Sequence, residues 1–494
     1  MVPLNFIHLY TYTPIHPYSL TPPPYFLAMS KSEKFIIGFI ITATTVSAVL
    51  FGVWEAKVLL CAPLLVLVYL AAALWICVSC RSKGAGECGR DPHTPLHPYI
   101  KTPPGGIPLL LFWLYSFALI PFSALAYEAK VSVLIFGGYL AVYWVSANIL
   151  SRFSYRKAVW ATVFSLMVIT ALYSLVQHKA APNIIFGAER YTTYWEGGRL
   201  GGTYQCPNHI AHLFQMWLPL CIVCLFIPRF GWFWRICFAY ALPLFLLLIY
   251  QTQSRAGILG AVAAMGTTVL LMVLRKSRRA FCFALLVVPL LGAGALGALW
   301  TGSAMFRERM QPVVKVLSAA VAGDWEGVVS VDFRPQTWAD TLVMIKDRPV
   351  FGFGPGNYGL IFEDYRARFT GVRVETVHPH NEYLELLAEY GLVGGVLVLC
   401  ALISISCQMI RLIRTSPRPY HALPAVALLG ALAGTAVHGF FDFELHIFPN
   451  AMMLALLAGC AAAPLLQIRP SEANNTATRN TKTHKNEKVP NVDQ

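Results

Sequence analysis

The stretch His378-Pro-His380-Asn381-Glu382-Tyr-Leu-Glu385 sets two imidazoles, an amide and two carboxylates just ahead of an apolar run that begins near Leu392. Three kinds of chemistry are open to it: a general base, a metal site, or the polar collar of a helix. An imidazole before a helix feels the positive end of the helix dipole, which favours the neutral form a base needs. Glu382, Glu385 and Glu389 share one helical face by their spacing. A metal set of His378, His380, Glu382 and Glu385 is conceivable, but His-x-His with a nearby Glu is not a complete zinc spacing, and the sequence assigns no metal. Arg255, in Gln251-Thr-Gln-Ser-Arg-Ala-Gly257, has no carboxylate near it in sequence. Its planar fork of donors suits a phosphate or diphosphate. Arg334, opening the segment 334–347, and Arg199, beside Gly201-Gly202, are candidates of the same type. His438, Asp442, Glu444 and His446 form a last cluster that can orient a substrate hydroxyl or serve as caps and loop residues.

The elements that must hold these groups are membrane helices. The chain has 494 residues, 56% hydrophobic and 13% charged, with mean hydropathy +0.57, which excludes an ordinary soluble domain. Stretches long enough to span a bilayer fall near 35–54, 58–78, 107–127, 131–150, 158–176, 209–228, 236–252, 256–274, 280–300, 391–410, 421–440 and 450–467, about twelve in all. The expected fold is an all-α polytopic membrane protein. Lys and Arg concentrate in alternate loops, among them Arg81, Lys83, Arg152, Arg229, Arg275 and Arg411. By the positive-inside rule this gives N-in, C-in topology, so the net charge of +14 reads as a topogenic signal and no nucleic acid is implied. The twelve cysteines fall mostly inside spans, where cysteine is a small apolar residue.

The expected organisation is an N-terminal extension at 1–28, with translation starting at Met29, and a first bundle at 29–301. A large extracytoplasmic loop at 302–383, a second bundle at 384–468 and a disordered cytoplasmic tail at 469–494 follow. Within the loop, Trp338, Leu342 and Ile345 have the spacing of an amphipathic helix. Pro349-Val-Phe-Gly-Phe-Gly-Pro-Gly-Asn357 reads as turn chemistry, since it lacks the Gly-Lys-Ser/Thr ending of a nucleotide loop. Four polar clusters, at 197–212, 251–257, 378–385 and 438–446, border loops on the same side of the membrane. Ionisable groups at membrane depth are costly, so their gathering implies a shared cavity.

Arg199-Leu-Gly-Gly-Thr-Tyr-Gln-Cys-Pro-Asn208, Thr252-Gln-Ser-Arg-Ala-Gly257, Arg334-x-x-x-Trp338 with the following Arg348-Pro-Val-Phe-Gly-Phe-Gly-Pro-Gly-Asn357, and His378-Pro-His-Asn-Glu-Tyr-Leu-Glu385 occur in this order. Together they resemble the O-antigen ligase and polymerase superfamily of bacterial membrane glycosyltransferases, over roughly residues 130–465. Cys206 departs from the polar residue relatives commonly carry before Pro-Asn. The resemblance implies a membrane glycosyltransferase fold of the GT-C-like type in the bacterial inner membrane, with an active site under the large periplasmic loop. It implies a glycan donor on undecaprenyl diphosphate and no cofactor, metal or nucleotide. Its essential residues fall on Arg255, Arg334 and His380. Substrate binding is expected of Arg199, Asn208, His378 and Asn381, and of Glu382, Glu385, His438 and Asp442. The acceptor is a lipid A core, another lipid-linked repeat or a protein hydroxyl, with the first favoured. A multi-span transporter is the reading from a different class.

Overall fold

The computed structural model of the chain describes residues 35–42, 62–84, 100–151, 156–190, 192–227, 231–366 and 376–467. The extension at 1–28, most of the first expected span and the tail at 469–494 lie outside the described residues. In chain order the helices are α1 (35–42), α2 (Ala62–Gly84), α3 (Gly106–Leu119), α4 (Ala126–Ser151), α5 (Arg156–Ala180), α6 (Pro207–Cys224), α7 (Trp232–Gln251) and α8 (Arg255–Lys276). They continue as α9 (Arg278–Gly302), α10 (Ala304–Val321), α11 (Trp325–Val331), α12 (Arg334–Asp347), α13 (Tyr358–Phe362), α14 (Glu382–Thr415), α15 (Pro419–His438) and α16 (Phe448–Gln467). Strands β1 (Ile184–Ile185) and β2 (Ala188–Glu189) form one small antiparallel hairpin. The chain is therefore an all-α polytopic membrane protein.

Eight helices among the described residues are long and apolar enough to cross a membrane, against about twelve expected. Most of the first expected span lies outside the described residues, and the second appears as the shorter apolar helix Pro63–Cys77; two further differences have physical causes. Gly106–Phe122 is a shorter apolar helix, because its α-helical part stops at Leu119 and continues as a single 3-10 turn containing Pro121. Helix α6 has the length, 18 residues, but carries His209, His212 and Gln215 along one face, which lowers its hydropathy. These three are buried, because α6 sits inside the bundle against α7, α8 and α15. The α6, α8 and α15 backbones approach closely through small residues, as membrane helices do. A Cβ at Gly434 would lie 2.6 Å from Gln215 Nε2 and 2.8 Å from the Gly260 carbonyl.

Helix α14 is broken at Gly391, where φ is 61° and ψ is −166°, a conformation open essentially to glycine alone. The break falls where the sequence places the start of the tenth span. It is held by backbone: Leu392 and Val393 N–H donate to Pro349 and Val350 carbonyls, while Phe353 and Gly354 N–H donate to Ala388 and Glu389 carbonyls. The glycine-rich run therefore acts as expected, as turns, with Gly352, Gly354 and Gly356 all at positive φ. Its task is to seat the first turns of α14 against α12 and α13.

Helix α12 exists at the expected bounds, but a different face is buried. Gln336, Thr337, Asp340, Thr341 and Met344 are buried while Leu342 is half exposed. The cause is the partner: α12 packs on the first turns of α14, whose buried side chains include Glu385 and Glu389, and a polar surface calls for polar neighbours. Thr341 Oγ1 bonds Tyr358 Oη at 2.7 Å, and Trp338 turns away to donate from Nε1 to the Pro379 carbonyl at 2.9 Å.

Candidate active site

Three helix N-termini meet at one end of the bundle. Ser254 caps α8, accepting from Gly257 N–H at 3.1 Å, so Arg255 is its first residue. Arg334 is likewise the first residue of α12. Asn381 caps α14 through Oδ1, which accepts from Tyr383 and Leu384 N–H at 3.0 and 3.1 Å, and His380 precedes that cap. Of the three non-glycine residues at positive φ among the described residues, two are Gln253 and His380. Both border this junction, where stored strain is a mark of function.

A cation at a helix N-terminus opposes the dipole, at a cost of roughly 0.3–1 kcal/mol. Two such arginines face each other here. Asp332 sits between them: Arg255 Nη2 donates to its Oδ2 at 3.2 Å, and Arg334 Nη1 approaches the same oxygen at 3.3 Å. Arg334 Nε also donates to the Phe441 carbonyl at 3.1 Å. Arg309 joins the group, anchored through Nε to the Gln253 carbonyl at 3.1 Å. Burial, then the nearby charges of Arg255 and Arg334, lower its affinity for its proton. Beside Arg255 and Arg309 lies a small open cleft, lined also by Tyr250, Gln253, Ile258, Met305, Phe306 and Met310.

A second network ends on His380. Arg199 is almost fully buried; it donates through Nε to the Thr252 carbonyl at 3.0 Å and through Nη2 to Asn208 Oδ1 at 2.8 Å. Burial and the field of Arg309 lower its pKa to about 10. Asn208 Nδ2 donates to Asp442 Oδ2 at 2.6 Å, and Asp442 Oδ1 lies 2.9 Å from His380 Nδ1. Burial alone would raise the Asp442 carboxyl, but its bond to His380 and the charges of His380, His209 and Arg334 hold it below the usual Asp range. An ionised Asp442 makes Nδ1 the protonated ring atom of His380 and leaves Nε2 as the acceptor. The ring is fixed edge-on against Phe333 and Phe443, with centroids 5.3 and 4.9 Å away. His380 thus has the tautomer, orientation and partial exposure of a general base.

The four polar clusters of the sequence do converge: the first touches the second at Arg199 and Thr252 and the fourth at Asn208 and Asp442, and the third touches the fourth at His380 and Asp442. Several expected roles change. The carboxylate that orients His380 is Asp442; Glu382 and Glu385 instead face His446 and His378, with His446 Nδ1 to Glu382 Oε2 at 3.2 Å and His378 Nδ1 to Glu385 Oε1 at 2.6 Å. Asn381 is a buried helix cap whose Nδ2 donates to the Phe440 carbonyl at 3.1 Å. His438 is fully buried inside the bundle, bonded through Nδ1 to Gln215 Oε1 at 2.9 Å and 3.0 Å from Glu444. Asn208 and Arg199 are linked to His380 through Asp442. Sequence reasoning missed Asp332 and Arg309, which stand among ordinary loop charges; the only signal for Asp332 is its place two residues before Arg334.

Residues 240–399 match the family model described as O-Antigen ligase. No curated protein matches the chain. The matched window runs from within α7 into α14 and contains Arg255, Asp332, Arg334 and His380, while Arg199, Asn208 and Asp442 complete the site from outside it. This chain is a multi-pass membrane protein whose residues 240–399 are similar to the O-antigen ligase family.

Proposed function

We propose that the chain is a glycosyltransferase that moves a glycan from undecaprenyl diphosphate to an acceptor hydroxyl, with the lipid A core as the favoured acceptor, on the periplasmic face of the inner membrane. The observation that supports this most is the adjacency of an oriented base, His380 on Asp442, and a cluster of arginines shared by two helix N-termini. His380 Nε2 takes the proton of the acceptor hydroxyl as its oxygen attacks the anomeric carbon. The sugar–phosphate bond breaks, and undecaprenyl diphosphate leaves with the bonding pair. Arg255 and Arg334 turn from Asp332 to the diphosphate and stabilise the charge that develops there, the larger share of catalysis in such sites. Asp442 stabilises the imidazolium that forms. The bond broken supplies the driving force, and no step passes through a metal or nucleotide. The distribution of Lys and Arg supports placing this end of the bundle outside the cytoplasm.

The test is the surface glycan of a strain lacking the gene, complemented with wild type, His380→Ala or Arg255→Ala. Wild type restores the polysaccharide and neither variant does, although both reach the membrane. Normal polysaccharide from both variants would sink the mechanism. Accumulated unligated polymer supports the ligase; single repeats or an unmodified protein would replace the lipid A core with another acceptor.

A further inference from the structure

We propose that His378, Glu385 and His446 form a binding site for zinc or a divalent ion of similar preference, clamping the start of α14 to the 439–447 loop. The sequence argued against a metal because it offered His378 and His380 as the pair. The fold separates them: His380 faces Asp442, and Phe443 stands between the two rings, stacked on His378 at 4.1 Å and edge-on to His380 at 4.9 Å. In place of His380 the loop brings in His446. One donor atom from each of His378, Glu385 and His446 lies within 4.8 Å of the others. Donors about 2.1 Å from a tetrahedral zinc lie about 3.4 Å apart; His446 Nε2 is 3.5 Å from Glu385 Oε1, while His378 Nδ1, hydrogen-bonded to that oxygen at 2.6 Å, must give up this bond and move outward to share the ion.

Two observations point to a ligand beyond proximity. Glu385 is 1% exposed, and its Oε2 has no hydrogen-bond partner; a buried carboxylate oxygen left alone is costly and is what a cation would satisfy. Further, His446 Nδ1 faces Glu382 Oε2 at 3.2 Å. That pairing places the ring proton on Nδ1 and aims the Nε2 lone pair at Glu385, the carboxylate–histidine–metal arrangement that orients ligands. Glu382 is itself fixed by the Leu445 N–H. Two neutral imidazoles and one carboxylate suit zinc better than magnesium or calcium, which prefer oxygen. The competing occupant is a proton on His446, which would bridge Glu382 and Glu385; metal binding would release it. The clamp spans the same two segments that bring His380 to Asp442, so His446 is a positioning residue.

The readout is bound metal, so the inference stands or falls apart from the transferase reading. Full-length protein purified in detergent is loaded with zinc sulfate, freed of excess and assayed by elemental mass spectrometry, with competition against a chelating dye. The expectation is about one zinc per wild-type chain, binding weakened at least tenfold in His446→Ala, and weakening of about 10–100-fold in Glu382→Gln, which keeps every donor but loses the orienting carboxylate. Zinc raises the melting temperature of wild type but not of His446→Ala, and chelator reverses the rise. Wild type with no retained zinc, or equal retention and affinity in wild type and both variants, would overturn the site. Glu382→Gln decides the matter where His446→Ala does not survive purification.

Discussion

Replacing Asp442 by Asn keeps the volume and shape of a fully buried side chain and removes only its charge, so the response isolates the relay that ends on His380. The relay has a direction. Arg199 can only donate, which fixes Asn208 Oδ1 as acceptor and Nδ2 as the group presented to Asp442. An Asn at 442 must therefore offer an oxygen to Asn208 Nδ2, and its own amide nitrogen then faces His380 Nδ1 and the Phe443 N–H that now donates at 3.1 Å. The first contact forces His380 to carry its proton on Nε2, the wrong tautomer for a base; the second sets donor against donor. The opposite amide orientation restores His380 but sets two NH2 groups against each other at 2.6 Å. A lost charge-assisted hydrogen bond is worth about 1.5–3 kcal/mol, and loss of an oriented base costs about 10²–10⁴-fold in rate. We expect transfer of a lipid-linked glycan by purified Asp442→Asn protein to fall at least 100-fold, within the range set by that base, with little change in KM for the donor. Turnover above half of wild type, in a variant that folds and binds donor, would refute the tautomer argument and with it the role of Asn208 and Arg199.

The remaining predictions concern charge and backbone. Arg255→Ala and Arg334→Ala each lower kcat about 10²–10³-fold, and the double variant falls short of the product, because both guanidiniums serve one anion; steady-state kinetics checks this. Arg255→Lys keeps the charge but loses the fork and recovers only part of the rate. Gly391→Ala drives a Cβ into the Val350 carbonyl in a glycine-only conformation, which costs about 1–3 kcal/mol and appears as a lower melting temperature. Asp442 is held below its ordinary range, so its contribution is complete above the unfolded value of about 3.9 and is lost as pH falls toward the folded value. The melting difference between wild type and Asp442→Asn should stay level from pH 8 to about pH 5 and narrow below about pH 4.

Legibility in the sequence followed the range of the interaction. Long apolar runs and the Gly391 break are local signals, and α8, α9, α14 and α15 fall close to their expected places. Arg255 stood out because a charge beside an apolar span is conspicuous, His380 because it precedes a helix, and Arg334 through the Arg-x-x-x-Trp resemblance. What the sequence could not show was partnership. Asp332 is two residues from Arg334 but 77 from Arg255, and Asp442 is 62 from His380; only the packing of α12 and α15 against α14 and α8 makes these pairs. For the same reason the sequence could not show the partner of His438, which the last turn of α15 turns inward to Gln215.

Helices α8 and α12 both begin with arginine, and the single carboxylate of Asp332 answers both charges. By linkage, an anion that fills the space shared by Arg255 and Arg334 raises the stability of both N-termini, by about 2.7 kcal/mol at a hundred times its dissociation constant. The purified protein is in effect its own reporter: melting curves taken across lipid phosphates and diphosphates would rank donor head groups before any acceptor is known.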